Sequence, residues 1–229
     1  MCWRLMNGVS ADEYRAAWAV LDEYERQRAG RFAFVADRER FVVSHTLVRH
    51  ALSRYADVRP EAWRFVAKAF GKPTIDATQL EGTLAFNMAH TDGLVACAVA
   101  RHEVGIDVES VGHRIQPLEI ASQFFSHREL VWLRECPEEQ RPLRFIELWT
   151  LKEAYVKALG TGLSHPLHTF GFAVNAGSIQ FDAPDNDGFT WTFALAAPSE
   201  LHRLAVAARS AASAPISISL RNASEDWAR

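Results

Sequence analysis

Two carboxylates set two residues apart open the chemistry of this chain. Asp107 and Glu109 lie in the stretch Val104-Gly105-Ile106-Asp107-Val108-Glu109, where apolar residues alternate with Gly or acid. A period of two is that of a β-strand, so Val104, Ile106 and Val108 share one face and both acids project from the other. Carboxylates on one side of a strand disfavour each other's charged form. A divalent cation between them removes that conflict, and hard oxygen donors suit Mg²⁺. The same alternation also fits a strand with a solvated acidic face.

Further along, Trp149-Thr150-Leu151-Lys152-Glu153-Ala154-Tyr155-Val156-Lys157 reads as helix, with Gly160 and Gly162 as its end signal. Glu153 and Lys157 are i and i+4 and share a face. As an ordinary surface pair they would contribute a few tenths of a kcal/mol. Taken in order, G-I-D-V-E and then W-T-L-K-E-x-x-x-K resemble the Sfp-type 4′-phosphopantetheinyl transferases. Gly71-Lys72-Pro73, Phe86-Asn87-Met88-Ala89-His90, Phe124-Phe125-Ser126 and Gly162-Leu163-Ser164 follow that family's order and approximate spacing. The resemblance runs from about Arg28 to Phe172.

The resemblance implies an α+β fold of two similar halves in a pseudo-twofold arrangement, with the active site in the cleft between them. It implies transfer of the 4′-phosphopantetheine arm of coenzyme A to a serine of an acyl or peptidyl carrier protein. Asp107, Glu109 and Glu153 are expected to hold Mg²⁺, with Mn²⁺ as a substitute. Glu153 is the expected proton acceptor, Lys157 the partner of the leaving phosphate, and Glu129 a further catalytic candidate. Arg28, Arg40, Lys72, His90, Thr91 and Lys157 are the expected coenzyme A contacts. The family commonly has Ser before the His, where this chain has Ala89, so one hydroxyl donor is missing. Two other readings stay open: another Mg²⁺ enzyme acting on phosphoanhydrides, and a carrier-binding module without catalysis. The chain has no Gly-rich phosphate loop to support the first.

Composition bounds the rest. With 229 residues and 48% hydrophobic content, the chain can bury a sizeable core. A net charge of −3 gives no global field for nucleic acid. No apolar run reaches the length of a membrane span. Cys2, Cys97 and Cys136 are widely spaced and odd in number, which fits neither a disulfide framework nor a zinc site. A cytoplasmic monomer is the expectation, the length matching the family's pseudo-dimeric class.

The elements that must position these residues follow from local signals. Ser10 and Glu13 form a capping box for a helix expected to run to about Arg28, with a second helix over Asp37–Tyr55. The arginines Arg28, Arg31 and Arg40 flank their junction, in a run with Arg49 and Arg54 that also fits solvated arginine on helix faces. Strands are expected over Trp63–Lys68, Leu84–Met88 and Leu94–Ala100, the last central because it is apolar throughout. A boundary near Ser110 separates an expected half 1–110 from a half 111–229. Then come a helix over Pro117–Phe125, a capping box at Ser126 and Glu129, and a long helix from Pro137 to Leu159. That capping role competes with any catalytic role for Glu129. The hydrophobic Phe124 and Phe125 are either core or a carrier dock. Strands follow over Phe170–Val174, Ser178–Phe181, Phe189–Leu195, Leu201–Ala208 and Ile216–Leu220, with a turn at Asp185–Gly188 and a frayed tail from Arg221.

Overall fold

The computed structural model describes residues 1–7, 9–67, 73–111, 116–175, 178–183, 188–211 and 216–223. In chain order these form β1 (Cys2–Leu5), α1 (Ala11–Val20), α2 (Glu23–Ala29), α3 (Val35–Ser53), β2 (Phe65–Ala67), β3 (Pro73–Ile75), β4 (Ala85–Thr91), β5 (Leu94–Ala100) and β6 (Val104–Ser110). After them come α4 (Pro117–Phe124), α5 (His127–Glu135), α6 (Arg141–Leu159), β7 (Gly171–Asn175), β8 (Ser178–Asp182), β9 (Thr190–Ser199), β10 (His202–Ser210) and β11 (Arg221–Asn222). The fold is α+β, as expected, and divides into two compact units. One comprises Met1–His102 with the stretch from Ile218; the other is Glu103–Ser217. The division falls before β6 rather than after it, because β6 pairs along its whole length with β10. Asp107 and Glu109 therefore belong to the same unit as Glu153.

In the first unit the sheet order is β11-β1-β5-β4, with β1 parallel to β11 and antiparallel to β5. β5 is central, and its apolar run Leu94–Ala98 is buried against α3. The α3 face Phe41, Val43, Leu47, Val48 and Leu52 completes that core with Leu21, Trp63 and Phe86. The helix expected to reach Arg28 is two helices. Asp22 and Glu25 form a second capping box inside the helical pattern, and the backbone at buried Leu21 is extended. A side chain that caps the next helix ends the previous one. Arg49 is buried (0% exposed) rather than solvated. Its guanidinium donates to Glu25 Oε2, Asp22 Oδ2 and the Pro60 and Trp63 carbonyls, tying α2 to α3. Lys72 lies outside the described residues, as does most of the expected turn at Asp185–Gly188.

In the second unit β6, β10 and β9 form an antiparallel sheet in that order, and β7 and β8 form a hairpin. Leu148, Leu151, Ala154, Tyr155 and Val156 of α6 are buried in a core shared with Phe125, Leu133, Ala205 and Ala207. Pro142 sits in the first turn of α6, where its missing N–H costs nothing, and Gly160 ends the helix at φ 73°. The helix begins at Arg141, later than Pro137. Ile216–Leu220 is not a strand, whereas Arg221–Asn222, expected to fray, pairs with β1. No described helix is long and apolar enough to cross a membrane.

Candidate functional site

β6 is buried on both faces. Val104, Ile106 and Val108 are core, and on the opposite face α6 packs on Gly105 and Asp107 is buried, while Glu109 is half-buried. Gly105 makes this cover possible. A Cβ built there would stand 2.0 Å from the Ala154 carbonyl oxygen and 2.4 Å from the Ala158 nitrogen, both backbone atoms of α6. Only a residue without a side chain lets strand and helix approach this closely.

That approach brings Asp107 against α6. Lys157 Nζ donates to Asp107 Oδ1 at 2.5 Å, while Asp107 Oδ2 is buried without a hydrogen-bond partner. Glu153 Oε1, one helical turn before Lys157, is likewise buried and unpartnered. Burial pushes the Asp107 carboxyl up, with Lys157 pulling it back down. Burial raises Glu153 too, and repulsion from Asp107 adds to it. Glu109 is pushed up to about 7, first by burial and then by Asp107, with Glu153 contributing; Lys157 and a hydrogen bond with Trp149 oppose the rise. The three acids thus share one field. Among the described residues they do not stand as a closed set of three chelating side chains. The donor set is nonetheless all hard oxygen, and two bare buried oxygens with mutual repulsion are what a divalent cation relieves. Trp149, read from sequence as core, is half-buried, stacks on Phe145 and holds Glu109.

Glu129 is placed differently. Its carboxylate (2% exposed) closes the capping box of α5, accepting from Ser126 N–H at 2.9 Å and Ser126 Oγ at 2.7 Å. Its other oxygen accepts from Phe172 N–H at 2.9 Å. Lys152 Nζ is 2.8 Å from Glu129 Oε2 and donates to the Leu167 and Phe170 carbonyls. Lys152 (0% exposed) was part of the motif but had no assigned role. A lysine beside Glu153 reads as solvated unless its buried partner is known, and that partner is far away in sequence. Of the two phenylalanines before this box, Phe125 is core, stacked on Phe145 at 5.1 Å, and Phe124 is 39% exposed.

The first unit holds a cavity of about 480 Å³ lined by Arg28, Arg40, His90, Phe41, His45 and Met88 among others. Three expected coenzyme A residues therefore meet in one place; Thr91 is not among the lining residues. The Arg28 guanidinium lies 5.3 Å from the Phe41 ring centre, and Phe41 stacks on His45 at 4.0 Å. Arg40 spans Asp37 at 3.5 Å and Asp92, on the turn after β4, at 3.7 Å. His45, which no local pattern picked out, is held by Glu25 at 2.8 Å. Of the acids on this wall, Asp22 and Glu25 are engaged by Arg49 and Asp37 by Arg40.

Comparison with known proteins agrees in both units. A family model described as the 4′-phosphopantetheinyl transferase superfamily matches residues 103–208, and one described as 4′-phosphopantetheinyl transferase, N-terminal, matches residues 8–102. The 4′-phosphopantetheinyl transferase HetI of Nostoc sp. is 34% identical over 163 residues, 71% of this chain and 69% of that protein. The 4′-phosphopantetheinyl transferase Sfp of Bacillus subtilis (strain 168) is 30% identical over 180 residues, 78% of each chain. The 4′-phosphopantetheinyl transferase gsp of Aneurinibacillus migulanus is 35% identical over 147 residues, 64% of this chain; that match spans 59% of the relative's length.

Proposed function

We propose, from the premise that this chain belongs to the 4′-phosphopantetheinyl transferase superfamily, that it transfers the 4′-phosphopantetheine arm of coenzyme A to a serine of an acyl or peptidyl carrier protein. Adenosine 3′,5′-bisphosphate is the other product. The observation that carries this reading is the pairing of Asp107 with Lys157 beside two bare buried carboxylate oxygens, on Asp107 and Glu153. A site built only for stability would satisfy those oxygens.

In this reading Asp107, Glu109 and Glu153 would hold Mg²⁺, which when bound supplies charge neutralisation at the diphosphate. Glu153 accepts the proton of the carrier serine, its raised affinity for protons suiting the task. The serine oxygen forms its bond to the phosphorus of the pantetheine arm as the anhydride bond to the nucleotide breaks. Lys157 then stands one turn from Glu153 to meet the leaving phosphate as an ammonium. Arg28, Arg40 and His90 hold the nucleotide end, guanidinium suiting phosphate through paired hydrogen bonds; Lys72 and Thr91 are the weaker candidates. Glu129 acts by position, since Lys152, Ser126 and Phe172 already engage its carboxylate. A cytoplasmic monomer remains the inference, open to size-exclusion measurement.

The test is incubation with coenzyme A, Mg²⁺ and a panel of apo-carrier proteins, read by intact mass. A gain of about 340 Da on one carrier serine is expected. Glu153→Gln should abolish it with the fold kept. Full transfer by that variant, or no gain on any carrier with the wild type, overturns the reading.

A further inference from the structure

Two of the three cysteines face each other across neighbouring strands of the first unit. Cys2 on β1 and Cys97 on β5 are directly opposed in the antiparallel register, and their sulfurs are 3.1 Å apart. Opposed residues of an antiparallel pair have Cα atoms about 4.5 or 5.5 Å apart, according to their hydrogen-bonding position. Both values fall inside the window of roughly 4.4–6.8 Å that a disulfide spans. The two thiols are already turned toward one another, and about 1 Å of sulfur movement separates them from bonding distance. Neither is in a disulfide here.

We propose that Cys2 and Cys97 form a reversible dithiol–disulfide couple that reacts with small-molecule disulfides. The two sulfurs differ in the way such a couple needs. Cys97 is fully buried, so no bulky disulfide reaches it first; Cys2 is half-buried and is the entry point. The Cys2 thiol is drawn below the usual value by the hydrogen bond from Cys97, with Arg54 and Arg221 helping against the effect of burial. A lowered thiol is the better attacker and the better leaving group in exchange.

The exchange has two steps. The Cys2 thiolate attacks one sulfur of oxidised glutathione, forming a mixed disulfide and releasing one glutathione thiolate. Cys97 then gives up its proton and attacks Cys2 Sγ, and the second glutathione thiolate leaves and is protonated. Two protein thiols and one oxidised glutathione become one protein disulfide and two reduced glutathiones. The new bond would join β1 to the central strand and close a loop between positions 2 and 97. β1 is otherwise held at that edge by its pairing with β5 and with the two residues of β11. β5 also carries Cys97 opposite Met88, a residue of the cavity wall, so the staple stiffens the sheet behind that cavity.

The experiment uses the full chain, oxidised glutathione as the probe and Cys136 as the internal control. The protein is incubated with the probe, denatured, alkylated and digested without reduction. The expected result is a mass loss of about 2 Da, a Cys2–Cys97 cross-linked peptide, alkylation confined to Cys136, and full reversal by dithiothreitol. Cys136→Ser should behave alike, whereas Cys2→Ser should leave Cys97 alkylated. Alkylation of all three cysteines after the probe, or a glutathione adduct that persists on Cys2 while Cys97 stays free, overturns the proposal. Because the first measurement is made on the unsubstituted chain, a variant that misfolds does not blunt it.

Discussion

Replacing Lys152 with Met should destabilise the second unit by about 3–5 kcal/mol, the range for removing one member of a buried ion pair. The side chains of Lys152 and Glu129 are 0% and 1% exposed, and their charged atoms are 2.8 Å apart. At an effective dielectric constant near 20, that distance corresponds to about 6 kcal/mol of gross attraction. Desolvation of both groups consumes much of it, so the pair as a whole contributes little relative to an apolar pair. Losing the ammonium alone is different. It strands the Glu129 carboxylate and leaves the Leu167 and Phe170 carbonyls without their donor. Glu129→Gln, which keeps the capping box, should cost less than Lys152→Met. The double variant should cost about 2–3 kcal/mol less than the sum of the two singles. Urea unfolding at pH 7 followed by far-ultraviolet circular dichroism measures all three. A cost below about 1 kcal/mol for Lys152→Met, or strict additivity, would refute the reasoning. The same variants decide the role of Glu129. If it works by position, folded Glu129→Gln keeps kcat within about threefold; a loss of roughly 10²–10⁴ with an unmoved urea midpoint would make it the proton acceptor.

Metal-free protein should lose stability as pH rises from about 4.5 to 7, because Glu109 takes up its proton more readily folded, near 7, than unfolded. After discounting for solvent screening this is about 1–2 kcal/mol, and urea midpoints at pH 5 and 8 in chelator should show it, with Glu109→Gln flattening the slope and Mg²⁺ restoring the loss at pH 8. Gly105→Ala should lower the melting temperature by the equivalent of about 3 kcal/mol, since the added methyl meets α6 backbone that cannot step aside. Arg28→Ala or Arg40→Ala should raise KM for coenzyme A about 10- to 100-fold with kcat kept, the loss of a charged hydrogen bond; equal KM values in variant and wild type would remove these residues from the nucleotide site.

Much of the local structure was legible because its signals are local. The capping boxes at Ser10 and Ser126 form as the spacing of Ser and Glu implies. The unbroken apolar run Leu94–Ala100 is the central strand, and Glu153 and Lys157 share a helix. What escaped depends on partners far away in sequence. β1 was not read as a strand, and its hydrogen bonds come from residues near 95 and 221. Alternation in β6 gave the two faces, but could not say that α6 packs on the acidic one at Gly105 and that Asp107 is buried there. Arg49 and Lys152 look like surface cations until Glu25 and Glu129 are found beside them. The split at Asp22 was missed because a second capping box inside a helical pattern also fits an exposed helix surface. The cavity joins Arg28 and Arg40 to His90 on a strand, a meeting only the tertiary fold arranges, and it excludes Thr91, whose neighbour is included.

The second unit contains its own control for separating acids that hold the fold from acids kept for a ligand. Glu129 has every oxygen engaged, by an ammonium, a hydroxyl and two backbone N–H groups. Glu147, on the same helix as Glu153, is paired with Arg144 at 2.7 Å and Arg203 at 3.5 Å. Both acids are buried, and both have the cations that burial demands. Asp107 is as buried as they are and Glu153 is half-buried, yet each keeps one buried oxygen without a partner, and Glu109 adds a third carboxyl to the same field. Among the described residues Lys157 is the cation paired with Asp107, and Glu109 and Glu153 share its field, three carboxyls to one ammonium. Protonation can relieve the imbalance, which is the upward shift all three acids show. A divalent cation relieves it with no proton taken up, and at neutral pH it competes best where the carboxylates are most crowded. A strand that Gly105 lets close on a helix thus sets three carboxylates against one ammonium among the described residues, a balance unlike that at Glu129 or Glu147.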